Sequence, residues 1–98
     1  MDSVIEQIQF ICAQYPVDRV VLFGSRAGKD FTDRSDYDIA IFYQELDSQK
    51  KTSLYFAIQN LETLKKIDIV WIGKNERPGK QILHSIVTGG KTIYEQAS

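Results

Sequence analysis

The stretch "VVLFGSRAG", residues 20–28, decides how the fold of this chain is interpreted. The short run of β-branched and apolar residues at 19–23 predicts a buried strand that ends at Gly24. A glycine-rich segment after a strand suggests a phosphate-binding P-loop, but that loop has a longer spacing between its glycines and a Ser or Thr after its lysine. Here three residues separate the glycines, and Asp30 follows the lysine. The segment is therefore a strand followed by a Gly-Ser turn that is not a P-loop.

The bulk properties indicate one ordinary domain over residues 1–98. A hydrophobic content of 43% and a net charge of −1 are typical of a soluble globular protein, and the absence of a basic surplus argues against direct nucleic-acid binding. No apolar run approaches a membrane span, and no signal peptide is visible, so we expect a cytoplasmic protein without membrane contact. The single cysteine, Cys12, falls in a helical apolar stripe and is predicted to be a buried thiol.

Apolar periodicity predicts alternating helices and strands. Ser3 to Glu6 has the form of a capping box and begins a helix that ends before Pro16. After the first strand, the predicted elements are a helical turn at 25–29, a loop at 30–35, a strand at 36–43, a helix from Asp47 or Ser48 to about Lys66, a strand at 67–72, a helix from Pro78 to Gly89, and an edge strand at 91–95. The residues predicted to face the core from the helix after Asp47 are Leu54, Ile58, Leu61 and Leu64, and the last helix carries the apolar residues Ile82, Leu83, Ile86 and Val87. The fold class is α/β (α+β), a mixed sheet of about four strands packed with helices.

The stretch "SDYDIAIF", residues 35–42, contains the first candidate site residues. Side chains alternate along a strand, so Asp36 and Asp38 point to one side and Tyr37 to the other. Two adjacent carboxylates repel each other, and a divalent cation such as Mg²⁺ or Mn²⁺ removes that penalty. On its own, the pair is also explained by two solvated acids at the end of a strand.

A third acid, Asp68, lies near the start of the otherwise apolar strand "KIDIVWI", residues 66–72. A carboxylate there is costly unless it reaches water, a cation or a metal, and a wet strand end is the simpler alternative. If the strands that carry Asp38 and Asp68 are neighbours, three carboxylates meet at one end of the sheet. That arrangement is the outline of a two-metal site.

The combined pattern is Gly24-Ser25, ten intervening residues, Asp36-x-Asp38, and later Asp68. The sequences "FGSRAG…SDYDIAI" and "IDIVWI" resemble the active-site signature of the DNA polymerase β-like nucleotidyltransferases, in particular the minimal nucleotidyltransferase (MNT) proteins of prokaryotes. The resemblance covers nearly the whole chain. It implies the polymerase β-like fold and a role as the antitoxin of a module with a HEPN-domain toxin.

The resemblance also implies roles for individual residues. Gly24 and Ser25 would form a tight turn that holds the nucleotide phosphates, and Arg26 would be a further phosphate contact, although a solvated surface arginine explains it equally well. Two Mg²⁺ ions, or Mn²⁺, would be held by the three acids, Asp36, Asp38 and Asp68. These acids are also the predicted catalytic residues, and Asp68 would help to deprotonate the acceptor.

The predicted function is that of a Mg²⁺-dependent nucleotidyltransferase. It would transfer a nucleoside monophosphate, AMP from ATP, to a tyrosine or serine hydroxyl of a partner HEPN toxin, with which it forms a hetero-oligomer. The alternative is a non-catalytic antitoxin that neutralises the toxin by complex formation alone. Transfer to a small molecule such as an antibiotic would require an acceptor pocket for which this short sequence shows no segment.

Overall fold

The computed structural model describes residues 2–27, 36–61, 63 and 65–96, and for Ser25 and Arg26 it describes the backbone alone. The elements in chain order are α1 (Ser3–Cys12), β1 (Arg19–Phe23), a 3₁₀ helix at Gly24–Ala27 that we call the Gly-Ser turn, β2 (Tyr37–Phe42), α2 (Ser48–Gln59), β3 (Ile67–Ile72), α3 (Lys80–Gly89) and β4 (Lys91–Glu95). The predicted fold class, a four-strand mixed sheet with helices, is confirmed. The loop predicted at 30–35 lies outside the described residues.

The four strands form one sheet in the order β3-β2-β1-β4. β1 is antiparallel to both β2 and β4, whereas β2 and β3 are parallel. Parallel neighbours need a crossover connection, and α2 provides it. As a result β2 and β3 begin, and β1 ends, at the same edge of the sheet, which we call the carboxylate edge.

Helices cover both faces of the sheet. α1 and α2 cover the first face, where the buried side chains include Val4, Ile8, Cys12, Val20, Leu22, Tyr37, Ile39, Ile41, Leu54 and Ile58. α3 covers the second face, through contacts among Phe23, Ala40, Ile72, Ile82 and Ile86. Strands covered on both faces are apolar at nearly every position, which explains the continuous apolar runs in the sequence. Cys12 is buried as predicted, and burial raises the pKa of its thiol to about 12.

The start of α1 differs from the prediction by one residue. The N-cap is Asp2 rather than Ser3, because Asp2 Oδ1 accepts hydrogen bonds from the backbone N–H groups of Val4 (2.9 Å) and Ile5 (3.4 Å). The other oxygen, Oδ2, accepts from the hydroxyl of Tyr37 at 2.6 Å. Asp2 therefore caps the helix and also ties it to the start of β2.

α2 ends at Gln59 and not near Lys66. Twelve helical residues span about 18 Å, close to the length of a six-residue strand, so the helix has already carried the chain back along the sheet. The side-chain amide of Gln59 donates to the carbonyl of Ile67 at 2.7 Å, which joins the helix end to β3. Leu61 lies beyond the helix and is half-buried, and Leu64 lies outside the described residues.

α3 contacts the sheet through only part of its apolar side chains. It begins at Lys80, after Pro78, and its Ile82 and Ile86 pack on the second face. Leu83 and Val87, the other apolar residues of this helix, are 44% and 74% exposed. Each follows one of the packed residues Ile82 and Ile86 in sequence, so its side chain points to a different side of the helix, which is exposed. None of the described helices has the length and apolarity needed to cross a membrane.

Candidate active site

The carboxylate edge brings together the acids that the sequence singled out. β2 and β3 are neighbours, and their register places Asp38 opposite Asp68. Asp36 precedes β2 by one residue, and its backbone lies beside the start of β3 because the N–H of Tyr37 donates to the carbonyl of Lys66 at 2.9 Å. The parallel crossover therefore places all three acids at one edge, although Asp68 is more than thirty residues from Asp36 along the chain.

Asp38 also lies against the Gly-Ser turn. Phe23, the last residue of β1, pairs with Asp38, so Gly24 follows directly beside the carboxylate. Gly24 has φ +74°, and a Cβ atom built on it would lie 2.5 Å from Asp38 Oδ2. Both the backbone conformation and the lack of space require glycine at this position. The turn and the carboxylate are consequently close enough to contact a single ligand.

Lys66 contacts both Asp36 and Asp68. Its backbone N–H donates to Asp36 Oδ1 at 3.3 Å, and its Nζ lies 3.6 Å from Asp68 Oδ1. The ion pair is exposed, with 70% of the Lys66 side chain and 48% of the Asp68 side chain accessible to solvent. Exposed pairs of this kind contribute little to stability, so Lys66 does not prevent Asp68 from turning toward a ligand.

The electrostatics of the edge centre on Asp38. Burial raises the pKa of its carboxyl, the negative charges of Asp68 and Asp36 raise it further, and the cation of Lys66 lowers it. Ionised Asp38 thus carries a desolvation penalty and a repulsion penalty. A bound cation would relieve both.

The donor set fits a hard divalent cation. The three acids supply carboxylate oxygens only, which are the ligands that Mg²⁺ and Mn²⁺ prefer. Within the part of the chain that the structure describes, no three acidic, His or Cys side chains converge on one point where a metal ion would sit. Asp38 faces Gly24, while Asp36 and Asp68 face Lys66. Asp36 and Asp68 are exposed, so neither side chain is held in its present position by packing.

The predicted nucleotide contacts are described only in part. The backbone of Gly24–Ala27 forms the expected turn at the end of β1. The side chains of Ser25 and Arg26 lie outside the described part of the structure, so their phosphate contacts stay predictions.

Sequence reasoning missed two residues next to the turn. A cavity of about 260 Å³ is lined by Gly24 together with Ser85, Thr88 and Gly89 of α3. Ser85 and Thr88 lie on one side of the helix because residues three apart are neighbours on a helix surface. That spacing of two hydroxyls was the available signal, but nothing in the sequence indicated that α3 passes beside Gly24.

Comparison with known proteins agrees with this geometry. A family model described as "Polymerase beta, Nucleotidyltransferase" matches residues 6–98. The chain belongs to this family. In this polymerase β-like nucleotidyltransferase the Gly-Ser turn follows β1, Asp38 lies on the neighbouring strand β2, and Asp68 lies opposite Asp38 on β3. Among curated proteins, none matches the chain in sequence.

Solved structures similar to this nucleotidyltransferase include antitoxins in complex with their toxins. A mutant toxin–antitoxin complex, MntA–HpeT, matches with a TM-score of 0.69 at 18% identity, and a toxin–antitoxin structure with AMP-PNP matches with 0.70 at 20% identity. Both matches cover 94% of this chain and 73% of the other. A structure of the tri-AMPylated Shewanella oneidensis HEPN toxin in complex with MNT antitoxin matches with 0.65 at 18% identity, covering 96% and 71%. These likenesses show a shared fold.

Proposed function

We propose that this chain is an MNT-type antitoxin that transfers AMP from ATP to a hydroxyl group of a HEPN toxin. The observation that carries the proposal is the position of Asp38, whose carboxylate occupies the space that a Cβ atom on Gly24 would need and whose strand position is opposite Asp68. The turn that would hold the phosphates and the acids that would hold a divalent cation are therefore neighbours. Family membership, together with the toxin–antitoxin relatives, supports the same reaction.

The acids and the Gly-Ser turn would have separate roles in the transfer. Asp36, Asp38 and Asp68 would hold Mg²⁺, which when bound would neutralise charge on the triphosphate and lower the pKa of the attacking hydroxyl. The acceptor oxygen would form a bond to the α-phosphorus while the bond to the pyrophosphate leaving group breaks. The proton of the acceptor hydroxyl would pass to Asp68, whose carboxylate is exposed at the open side of the edge. Gly24 and Ser25 would orient the phosphates.

The partner is proposed from the exposure of the site. Asp36 and Asp68 lie on the surface, so an acceptor carried by another protein can reach them without entry into a closed pocket. The relative whose HEPN toxin is tri-AMPylated is the precedent for a protein acceptor. AMP attached to a tyrosine or serine would add bulk and negative charge to the toxin surface.

The direct test uses a HEPN-domain protein from the same organism as the candidate toxin. Incubation of the two proteins with ATP and Mg²⁺ is expected to increase the toxin's mass by one or more AMP units, as measured by intact-protein mass spectrometry. The Asp38→Asn variant should form the same complex and leave the mass unchanged. Tight binding and neutralisation without any mass increase, for each of the four common nucleoside triphosphates, would replace this proposal by the non-catalytic antitoxin.

The proposed role of Asp68 is tested by separating turnover from binding. Asp68→Asn is expected to lower kcat by roughly 10²-fold or more while changing ATP affinity only severalfold, because the acid acts mainly on the acceptor's proton. The matched control is Glu95→Gln, an exposed strand acid that pairs opposite Arg19 at the far end of β1. Equal losses in affinity and turnover for Asp68→Asn would contradict a role in proton transfer.

A further inference from the structure

We infer that the cavity between the Gly-Ser turn and α3 binds the ribose of the donor nucleotide through the hydroxyls of Ser85 and Thr88. The inference rests on the proposed function, since it assigns a part of the substrate to a neighbouring part of the same site. The cavity volume of about 260 Å³ lies just below that of typical pockets for whole ligands. It suits one portion of a nucleotide rather than the whole molecule.

The cavity and Asp38 lie on the same face of the sheet. Alternation along β2 places Tyr37 and Ile39 in the core of the first face, and Asp38 on the second face with Ala40. α3 packs on that second face, so Ser85 and Thr88 approach Gly24 from the side to which Asp38 projects. If the α-phosphate of a nucleotide lies near Asp38, the adjoining sugar can therefore reach Ser85 and Thr88 of α3.

The hydrogen-bonding groups that α3 contributes to the cavity favour sugar hydroxyls over phosphate. Thr88 Oγ1 donates its only proton to the carbonyl of His84 at 2.7 Å, so toward a ligand it can only accept. Ser85 makes no hydrogen bond with its side chain to any other described residue, which leaves its hydroxyl available to donate or accept. Thr88 and Gly89 lie in the last turn of α3, where the backbone carbonyls give the helix end a partial negative charge. An anionic phosphate would be repelled there, whereas a hydroxyl donor would be bound.

The lining also favours the ribose over the base. A nucleobase is held by stacking on aromatic or apolar side chains, and the described residues of this cavity contribute two hydroxyls and two glycines. Two hydroxyls about one helical turn apart match the vicinal 2′- and 3′-hydroxyls of a ribose better than a flat ring. Recognition of these hydroxyls would make the enzyme prefer ribonucleotides.

The test compares ligands that differ only in the sugar. The wild-type chain with Mg²⁺ should bind ATP about tenfold more tightly than 2′-deoxy-ATP or 3′-deoxy-ATP, the scale expected for one or two hydrogen bonds. The Ser85→Ala/Thr88→Val double variant should bind ATP only as tightly as the deoxy analogues and should bind tripolyphosphate as the wild type does. Thr52→Val is the matched control, an exposed helical threonine of α2 on the first face. Circular dichroism verifies that each variant is folded.

Each outcome decides between the two proposals. If the double variant loses affinity for ATP and tripolyphosphate equally, the cavity contacts phosphate and the ribose inference is wrong. If the double variant keeps the wild-type preference for ATP, the cavity is not a ribose site, and AMP transfer to the toxin stands by itself. If the preference depends on Ser85 and Thr88 but no toxin is modified, the inference holds for a nucleotide-binding antitoxin and the catalytic proposal fails.

Discussion

Replacement of Asp36 and Asp38 together by asparagine is expected to lower AMP transfer by at least about a hundredfold. Charge stabilisation by metal ions is worth several kcal/mol, and each 1.4 kcal/mol or so corresponds to a factor of ten in rate. Asparagine keeps the size of the side chains but removes the charges that would bind Mg²⁺. The measurement is the rate of toxin modification with saturating ATP and Mg²⁺, and Glu95→Gln is the control that should retain the wild-type rate.

The same double variant should melt at a higher temperature than the wild type when no metal is present. Because the pKa of Asp38 is raised in the folded protein, its ionisation costs stability as the pH rises from the carboxyl's ordinary range through the raised value. The stability difference between variant and wild type should therefore be present at pH 7, shrink as the pH falls from the raised pKa toward about 4, and be absent below that. Addition of Mg²⁺ should raise the melting temperature of the wild type and not that of the variant. Full transfer activity in the variant, or an equal response to Mg²⁺, would contradict the metal site.

Gly24→Ala is expected to lower both activity and stability, with transfer reduced by about a hundredfold. An alanine at φ +74° costs about 1–2 kcal/mol, and its Cβ would lie 2.5 Å from Asp38 Oδ2, so the carboxylate must move. Each kcal/mol lost should lower the melting temperature by about 4–8 °C in a domain of this size. The displaced carboxylate would no longer lie beside the phosphates, which explains why activity should fall more than stability.

Two further variants separate the causes. Gly79→Ala is the matched control, because a Cβ there meets no atom within 4 Å and its φ is −58°. In Gly24→Ala/Asp38→Ala the steric contact is removed, so part of the lost stability should return while activity stays absent. If Gly24→Ala retains wild-type stability and turnover, then the close approach of Asp38 to the turn is not required for function.

The sequence alone determined the elements whose signals are local. β1 and β3 were predicted at their observed bounds, because short runs of β-branched residues bounded by polar residues and glycine are distinctive. The acids and Gly24 were recognised from residue type and spacing, since charged residues in an apolar strand stand out. The role of Asp68 in deprotonating the acceptor was implied by the family resemblance and remains a prediction for experiment.

Tertiary contacts decided the details that local signals left open. Both Asp2 and Ser3 can cap a helix, and the hydroxyl of Tyr37, which is distant in sequence, binds Asp2. The end of α2 depends on the length of the sheet that it crosses, a quantity that no helical periodicity contains.

The site itself shows the same division. Residue spacing could indicate that Asp36, Asp38 and Asp68 belong together, but only the parallel pairing of β2 with β3 places Asp38 opposite Asp68. Likewise, Leu83 and Val87 have the spacing of core residues and are exposed, because α3 packs through one stripe. That packing brings Ser85 and Thr88 to Gly24, more than sixty residues earlier in the chain. Residue type and spacing therefore indicated the candidate acids. Their neighbours, such as Ser85 and Thr88, depend on contacts between distant segments and could not be predicted from the sequence.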